Sequence, residues 1–217
     1  MFKLTALASV AVGVVMCTAC GGGGEGTESG GVPGYGNTVA SAPESSSQSC
    51  SVVLYGDSIM AGQNPAGALA ETPVQAIKRM RSGWSVEDRS RAGTSAAQLA
   101  ALFPNDPRTA RVVVLEHGIN DLILGMSPVE SIRSVVDFAK AEGRAVVVTG
   151  LSQQTRVDTP RWLAAADGIA QVAKAAAVTY ADWPSVTGNT VDGTHPDQAF
   201  SNDLASQLVR ALDKACK

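Results

Sequence analysis

The chain has 217 residues, with 17 Lys or Arg against 20 Asp or Glu and 45% hydrophobic side chains. This suits one globular domain with a sizeable core, plus tails at most, and excludes collagen-like, coiled-coil and wholly disordered chains. A net charge of −3 leaves no basic excess for a nucleic-acid backbone, and aromatics at 5% leave no stacking platform for single strands, so no nucleic-acid partner is expected.

The first zone is residues 1–19, where Lys3 precedes an apolar run of thirteen residues, Leu4 to Met16. A membrane-spanning helix needs about 20 apolar residues, so this run reads as the core of a signal peptide. It ends in Cys17-Thr18-Ala19-Cys20, and Cys20 followed by Gly21 to Gly24 resembles a bacterial lipoprotein box. That resemblance implies lipidation at Cys20 and an exported protein whose membrane contact is this N-terminal anchor alone. Cleavage before Cys17 would place the lipid there instead, and a plain secretory signal would carry none. Residues 20–49 hold nine of the 22 glycines and the Ser-rich stretch Ser41 to Ser49, which reads as a flexible linker. The remaining 168 residues, 50–217, are the size of one domain and carry 16 basic against 17 acidic side chains. Net charge therefore says nothing about a substrate.

Within that domain apolar runs alternate with helical patterns. Val52 to Tyr55 reads as a buried strand ended by Gly56. Val74, Ile77 and Met80 recur at helical spacing, with Pro73 in the first turn. Trp84 to Asp88 alternates as a second strand, Ala96 to Leu102 makes a short helix, and Val112 to Leu115 is a third strand. Ser127, Pro128 and Glu130 predict a capping box, followed by a helix burying Ile132, Val135, Val136 and Ala139 and stopped by Gly143. Ala145 to Val148 is a fourth strand. Thr159-Pro160 opens a helix with Leu163, Ile169 and Val172 inward. Val178 to Tyr180 is a fifth strand, and Phe200, Leu204, Leu208 and Leu212 form one stripe on a last helix. Strands separated by helices predict an α/β fold, a parallel sheet with helices on both faces.

In such a sheet functional groups gather on loops beyond the carboxyl ends of the strands. Those loops carry Gly56-Asp57-Ser58, Arg91-Ala92-Gly93-Thr94, Gly118-Ile119-Asn120-Asp121 and Asp192-Gly193-Thr194-His195. The parts suit nucleophilic acyl transfer. A serine hydroxyl needs an adjacent base, here His195, and the base needs an acceptor to hold its tautomer, here Asp192. The oxyanion of a tetrahedral intermediate needs donors already in place, such as the backbone N–H of Ser58 and Gly93 and the Asn120 amide.

These blocks, in this order and spanning residues 51 to 196, resemble the SGNH, or GDSL-type, hydrolases. The resemblance implies a three-layer α/β/α sandwich around a five-stranded parallel sheet, the flavodoxin-like fold of that family. It implies Ser58 as nucleophile, Asp192 and His195 as the rest of a triad, and Ser58, Gly93 and Asn120 as the oxyanion hole. No Gly-x-Ser-x-Gly elbow is present, which argues against the other large α/β esterase class.

Each residue also has a plainer reading. Ser58 alone could cap the following helix, and Asn120-Asp121 could be a turn pair. Asp57 is expected to be structural. Only two histidines exist, and His117 is expected to pack or to support the site from behind. Arg156 and Asp158 read as a solvated loop and Trp183 as packing. No metal-ligand spacing exists among the histidines and the cysteines at 17, 20, 50 and 216, so neither metal nor cofactor is expected. Cys50 and Cys216 bracket the domain, and in an exported protein they read as a disulfide closing it. Two free buried cysteines are the alternative.

The expected activity is hydrolysis of carboxylic esters, of small or of carbohydrate- or lipid-linked acyl groups, by a monomer working through an acyl-enzyme. Two alternatives remain open: transfer of acyl groups onto envelope sugars by the same triad, and a non-catalytic carbohydrate-binding module. Pocket walls are expected from loops near 61–73, 118–126, 150–159 and 183–191.

Overall fold

The computed structural model describes residues 49–217. The signal segment at 1–19, all but the last residue of the linker at 20–49, and both Cys17 and Cys20 lie outside them. Five strands form one parallel sheet: β1 (Ser51–Gly56), β4 (Ser85–Asp88), β5 (Val112–Glu116), β6 (Ala145–Thr149) and β7 (Thr179–Ala181), in the order β4-β1-β5-β6-β7. Val52 to Leu54 and Val112 to Leu115 are buried along their whole length. Strands covered on both faces have no solvent side, which is why they read as unbroken apolar runs. A two-residue hairpin, β2 (Gln63–Asn64) with β3 (Gly67–Ala68), stands apart. It is too short to leave a periodic signal.

Helix α1 (Pro73–Met80) packs against α6 (Gln198–Ala215), while α2 (Ala96–Leu102) packs against α4 (Val129–Ala141), and α4 against α5 (Thr159–Ala175). Right-handed crossovers put these two groups on opposite faces, giving three layers. The α6 stripe is as expected: Phe200, Leu204, Leu208 and Leu212 are all buried. Among the described residues no helix is long and apolar enough to cross a membrane.

Three local expectations fail. Pro128 itself takes the N-cap position of α4, so the helix begins at Val129 and Glu130 is one place too early for a capping box. The Glu130 carboxylate pairs with Arg133 instead. Leu163 is 54% exposed. It lies six residues before the buried Ile169, about 120° around the helix from it, so the two cannot share a face. Finally, the stretch after β5 is not a loop: Ile119–Ile123 forms a short helix, α3, capped by Gly118.

Cys50 and Cys216 are joined by a disulfide across a sequence separation of 166, with both residues buried. Cys50 immediately precedes β1, and Arg111, immediately before β5, donates a hydrogen bond to the Lys217 carbonyl. The two ends of the domain therefore meet at the amino ends of the strands, opposite the loops that carry the site.

Candidate active site

Ser58 follows β1, and Asp192 and His195 lie in the segment between β7 and α6. The fold brings together these residues, 137 positions apart in the chain, with Ser58 Oγ 2.9 Å from His195 Nε2. His195 Nδ1 lies 2.9 Å from Asp192 Oδ2. Asp192 only accepts, so the ring proton sits on Nδ1 and leaves the Nε2 lone pair facing the serine hydroxyl. Asp192 Oδ1 accepts the backbone N–H groups of Thr194 (3.0 Å) and His195 (2.9 Å), fixing the carboxylate before it meets the ring. Burial pushes its acidity up, but the bonds from His195 and Thr194 outweigh it and hold the pKa down at about 2. The loop is stapled by Val191 N–H to the His195 carbonyl (2.8 Å), and Thr155 N–H donates to the Gly193 carbonyl (2.8 Å).

The nucleophile loop is anchored from beneath. Asp57 is fully buried, as befits the structural part expected of it; its Oδ1 accepts the Ile59 N–H, and its Oδ2 accepts from Asn120 Nδ2 at 3.1 Å. The second Asn120 N–H goes to the Thr94 carbonyl at 2.9 Å. Glu116, at the end of β5, accepts the Asp57 backbone N–H at 3.0 Å. Burial pushes both carboxyls up, Asp57 to about 7 and Glu116 well above the carboxylate range. Gly56 is required here for space: a Cβ would stand 2.3 Å from Met60 Cβ and 2.7 Å from Glu116 Oε2.

Gly93 sits at φ +78°, a conformation that favours glycine, in the turn leading to α2. Among the described residues, neither its backbone N–H nor that of Ser58 donates a hydrogen bond. Asp121 accepts the N–H groups of Ala96 (2.7 Å) and Ala97 (3.2 Å), so it pins the start of α2 beside that turn. Sequence reasoning missed this role, because the partners lie 25 and 24 residues away and no local pattern announces them. Glu116 was missed too, although a lone acid closing an apolar strand was a visible signal. Asp158, expected in a solvated loop, is exposed and caps α5. Trp183 is fully buried, as packing required, with its ring N–H on the Leu204 carbonyl.

His117 is buried behind the site. Thr94 Oγ1 donates to the Arg91 carbonyl at 2.6 Å and so accepts from His117 Nε2, 3.2 Å away. The His117 proton therefore sits on Nε2, and Nδ1 is a buried acceptor without a partner. Burial lowers the His117 pKa to about 4, so the ring is neutral.

A cavity of about 590 Å³ opens at the carboxyl ends of β1 and β4, walled on one side by α2. Its walls come from the end of β1, residues 87–91, Thr94, α2 with the turn after it, and His117; none of Ser58, Asp192 and His195 lines it. A smaller cavity, about 170 Å³, does involve one expected loop, at Gln153, Gln154, Thr159 and Trp162. Among the described residues no three His, Cys, Asp or Glu side chains gather to hold a metal ion.

Residues 54–208, well over half of the chain, match the family model of the GDSL-like lipase/acylhydrolase family. The chain is a GDSL-like lipase/acylhydrolase. Membership of this family makes it an ester-hydrolysing enzyme. Solved structures with the same fold include TesA, at 22% identity over 76% of this chain and 99% of that one, with a TM-score of 0.66. The acetylxylan esterase Axe2 from Geobacillus stearothermophilus aligns at 18% identity, over 75% of this chain and 94% of its own, with a TM-score of 0.62. A GDSL-like lipase from Bacteroides thetaiotaomicron aligns at 20%, over 76% and 89%, with a TM-score of 0.60. No curated protein sequence gives a significant match. At these identities the neighbours establish the fold of this GDSL-like hydrolase, not its substrate.

Proposed function

We propose that the protein is a serine esterase acting on small or carbohydrate-linked acyl esters through a Ser58–His195–Asp192 triad. The observation that carries this reading is the continuous hydrogen-bonded chain, 2.9 Å and 2.9 Å, from Ser58 Oγ through the ring to Asp192. His195 Nε2 takes the Ser58 proton as Oγ bonds to the ester carbonyl carbon, and the carbonyl π pair moves onto oxygen. Collapse of that oxyanion breaks the carbon–oxygen bond to the alcohol, which leaves with the proton from His195. Water then attacks the acyl-enzyme, His195 accepting its proton and returning one to Ser58 as the acid departs.

The unengaged N–H groups of Ser58 and Gly93 are available to the oxyanion. Asn120 can join them by releasing its longer bond, the one to Asp57. A donor of this kind is worth roughly 2.7–4 kcal/mol of barrier. The acetylxylan esterase among the structural neighbours favours a short acyl group on a sugar. Export and a lipid anchor at Cys20 belong to the same proposal, supported by the sequence of residues 1–24 alone.

The test is hydrolysis of p-nitrophenyl acetate by the purified protein, with a fluorophosphonate probe to label the nucleophile. Turnover and labelling lost in a folded Ser58→Ala variant are expected. Undiminished turnover in that variant would overturn the mechanism.

A further inference from the structure

The chain turns tightly between β1 and β2, and every backbone N–H of that turn but one has a partner. Those of Ala61, Gly62 and Gln63 return to the carbonyls of Asp57 (3.0 Å), Ile59 (3.1 Å) and Ser58 (2.8 Å). The Ile59 N–H goes to Asp57 Oδ1 at 2.9 Å. Those of Asp57 and Met60 both turn to the Glu116 carboxyl, the first reaching Oε2 at 3.0 Å. Of the seven successive donors from Asp57 to Gln63, only that of Ser58 is unspent among the described residues. Buried backbone donors are ordinarily paired, so one free N–H between paired neighbours is a built feature.

Glu116 is what isolates it. The parallel register sets Glu116 directly opposite Gly56, which carries its carboxyl under the turn. The missing Cβ of Gly56 lets the carboxyl close in, since one would stand 2.7 Å from Oε2. Its two bonds then fall on either side of Ser58 in the chain and fix the path of the backbone there. A negative charge in this place would oppose the charge of an oxyanion formed above it. Burial pushes the Glu116 carboxyl well above the carboxylate range, so at neutral pH it accepts the N–H groups without adding that charge.

We propose that Glu116 is a positioning residue for the reaction: by holding the N–H groups of Asp57 and Met60 it leaves the Ser58 N–H as the one free donor of the turn and aims it at the oxyanion. The inference rests on the esterase reading and adds to it a residue that touches neither the substrate nor the triad.

The experiment compares Glu116→Leu and Glu116→Gln in the whole chain. Leucine is similar in bulk and accepts nothing, so kcat for p-nitrophenyl acetate should fall about 10- to 100-fold with little change in KM. Phenylboronic acid adds to a serine Oγ as a tetrahedral anion with an oxygen in the oxyanion's place, and it should bind more weakly by a similar factor. A group that served stability alone would lower the melting temperature and leave kcat and boronate affinity of the folded protein as they were. Glutamine keeps an uncharged acceptor in place and should recover most of both losses. If Glu116→Leu does not fold, Glu116→Asp replaces it with the same expectation, because its shorter arm withdraws the carboxyl from the turn. Unchanged kcat and boronate affinity in the folded Leu or Asp variant, or a Gln variant as impaired as they are, would overturn the proposal. A natural protein that bound boronate without hydrolysing the ester would set aside the hydrolytic reading and leave this one to stand on the affinities. One that bound no boronate would overturn both.

Discussion

Asn120 Nδ2 stands 3.1 Å from Asp57 Oδ2, so the amide proposed to hold the oxyanion also tethers the residue next to the nucleophile. Its other N–H is on the Thr94 carbonyl, which holds the amide beside the nucleophile loop while the N–H on Asp57 is the one released to the proposed oxyanion. Asn120→Ala should lower kcat by about 10²- to 10³-fold, with a smaller change in KM. Steady-state kinetics beside a thermal melt checks this. A loss confined to KM would remove Asn120 from the oxyanion hole.

Asp192→Asn should cost about 10³- to 10⁴-fold in kcat while the fold persists. An amide in that place can present its N–H to the ring, inverting the His195 tautomer and turning the wrong nitrogen toward Ser58. Circular dichroism alongside rates separates this from unfolding, and retained turnover would break the triad assignment.

Gly56→Ala should reduce kcat by about 10- to 100-fold, because the new methyl cannot fit against Met60 and Glu116 without moving the adjacent Asp57-Ser58. Gly93→Ala meets no atom within 4 Å and should cost only backbone strain. Comparing the two variants by rate and by denaturant midpoint tests whether space or conformation governs these loops.

His117 and Asp57 give stability opposite pH dependences. Burial lowers the His117 pKa from 6.5 to about 4, so between those values the unfolded chain binds more protons. Stability present above pH 6.5 is then lost as the pH falls through 4. Asp57, raised by burial from 3.8 to about 7, contributes stability that is present below its ordinary value and lost as the pH rises through 7. In urea unfolding, the stability gap between the natural protein and His117→Phe should shift by on the order of 3 kcal/mol from pH 6.5 to 4. The natural protein should be the one that loses, and Asp57, common to both, cancels. A constant gap would contradict the neutral, buried ring.

Replacing Cys50 and Cys216 by serine should lower stability by up to about 4–5 kcal/mol, the entropy released when so long a loop is opened. Activity of the folded fraction should persist, because the bridge lies at the end of the sheet remote from Ser58. Urea midpoints and turnover per folded molecule check both halves.

What the sequence made legible follows from range. The strands β1, β5 and β6 declare themselves through unbroken Val-rich runs, and the residues that meet as Ser58, His195 and Asp192 stand in blocks placed at strand ends. The disulfide was readable because only two cysteines fall within the domain. Hidden were contacts that depend on approach across the fold: Asp121 on the start of α2, Glu116 under Asp57, and the bond between Asn120 and Asp57. None has a periodicity, and each partner lies at least 24 residues away. Leu163 shows the converse error, in which an apolar residue within a helix was counted without its angle.

The bridge at Cys50 and Cys216 makes the described chain a covalent ring apart from two overhanging residues, Ser49 and Lys217. A ring has no privileged starting point. Joining Lys217 to Ser49 with a short peptide and cutting at the exposed Gly67–Ala68 strand of the small hairpin would yield a circular permutant with the same sheet and the same Ser58–His195 pairing. The order of blocks by which this family is read along the chain would then be broken, while their arrangement in space stayed whole.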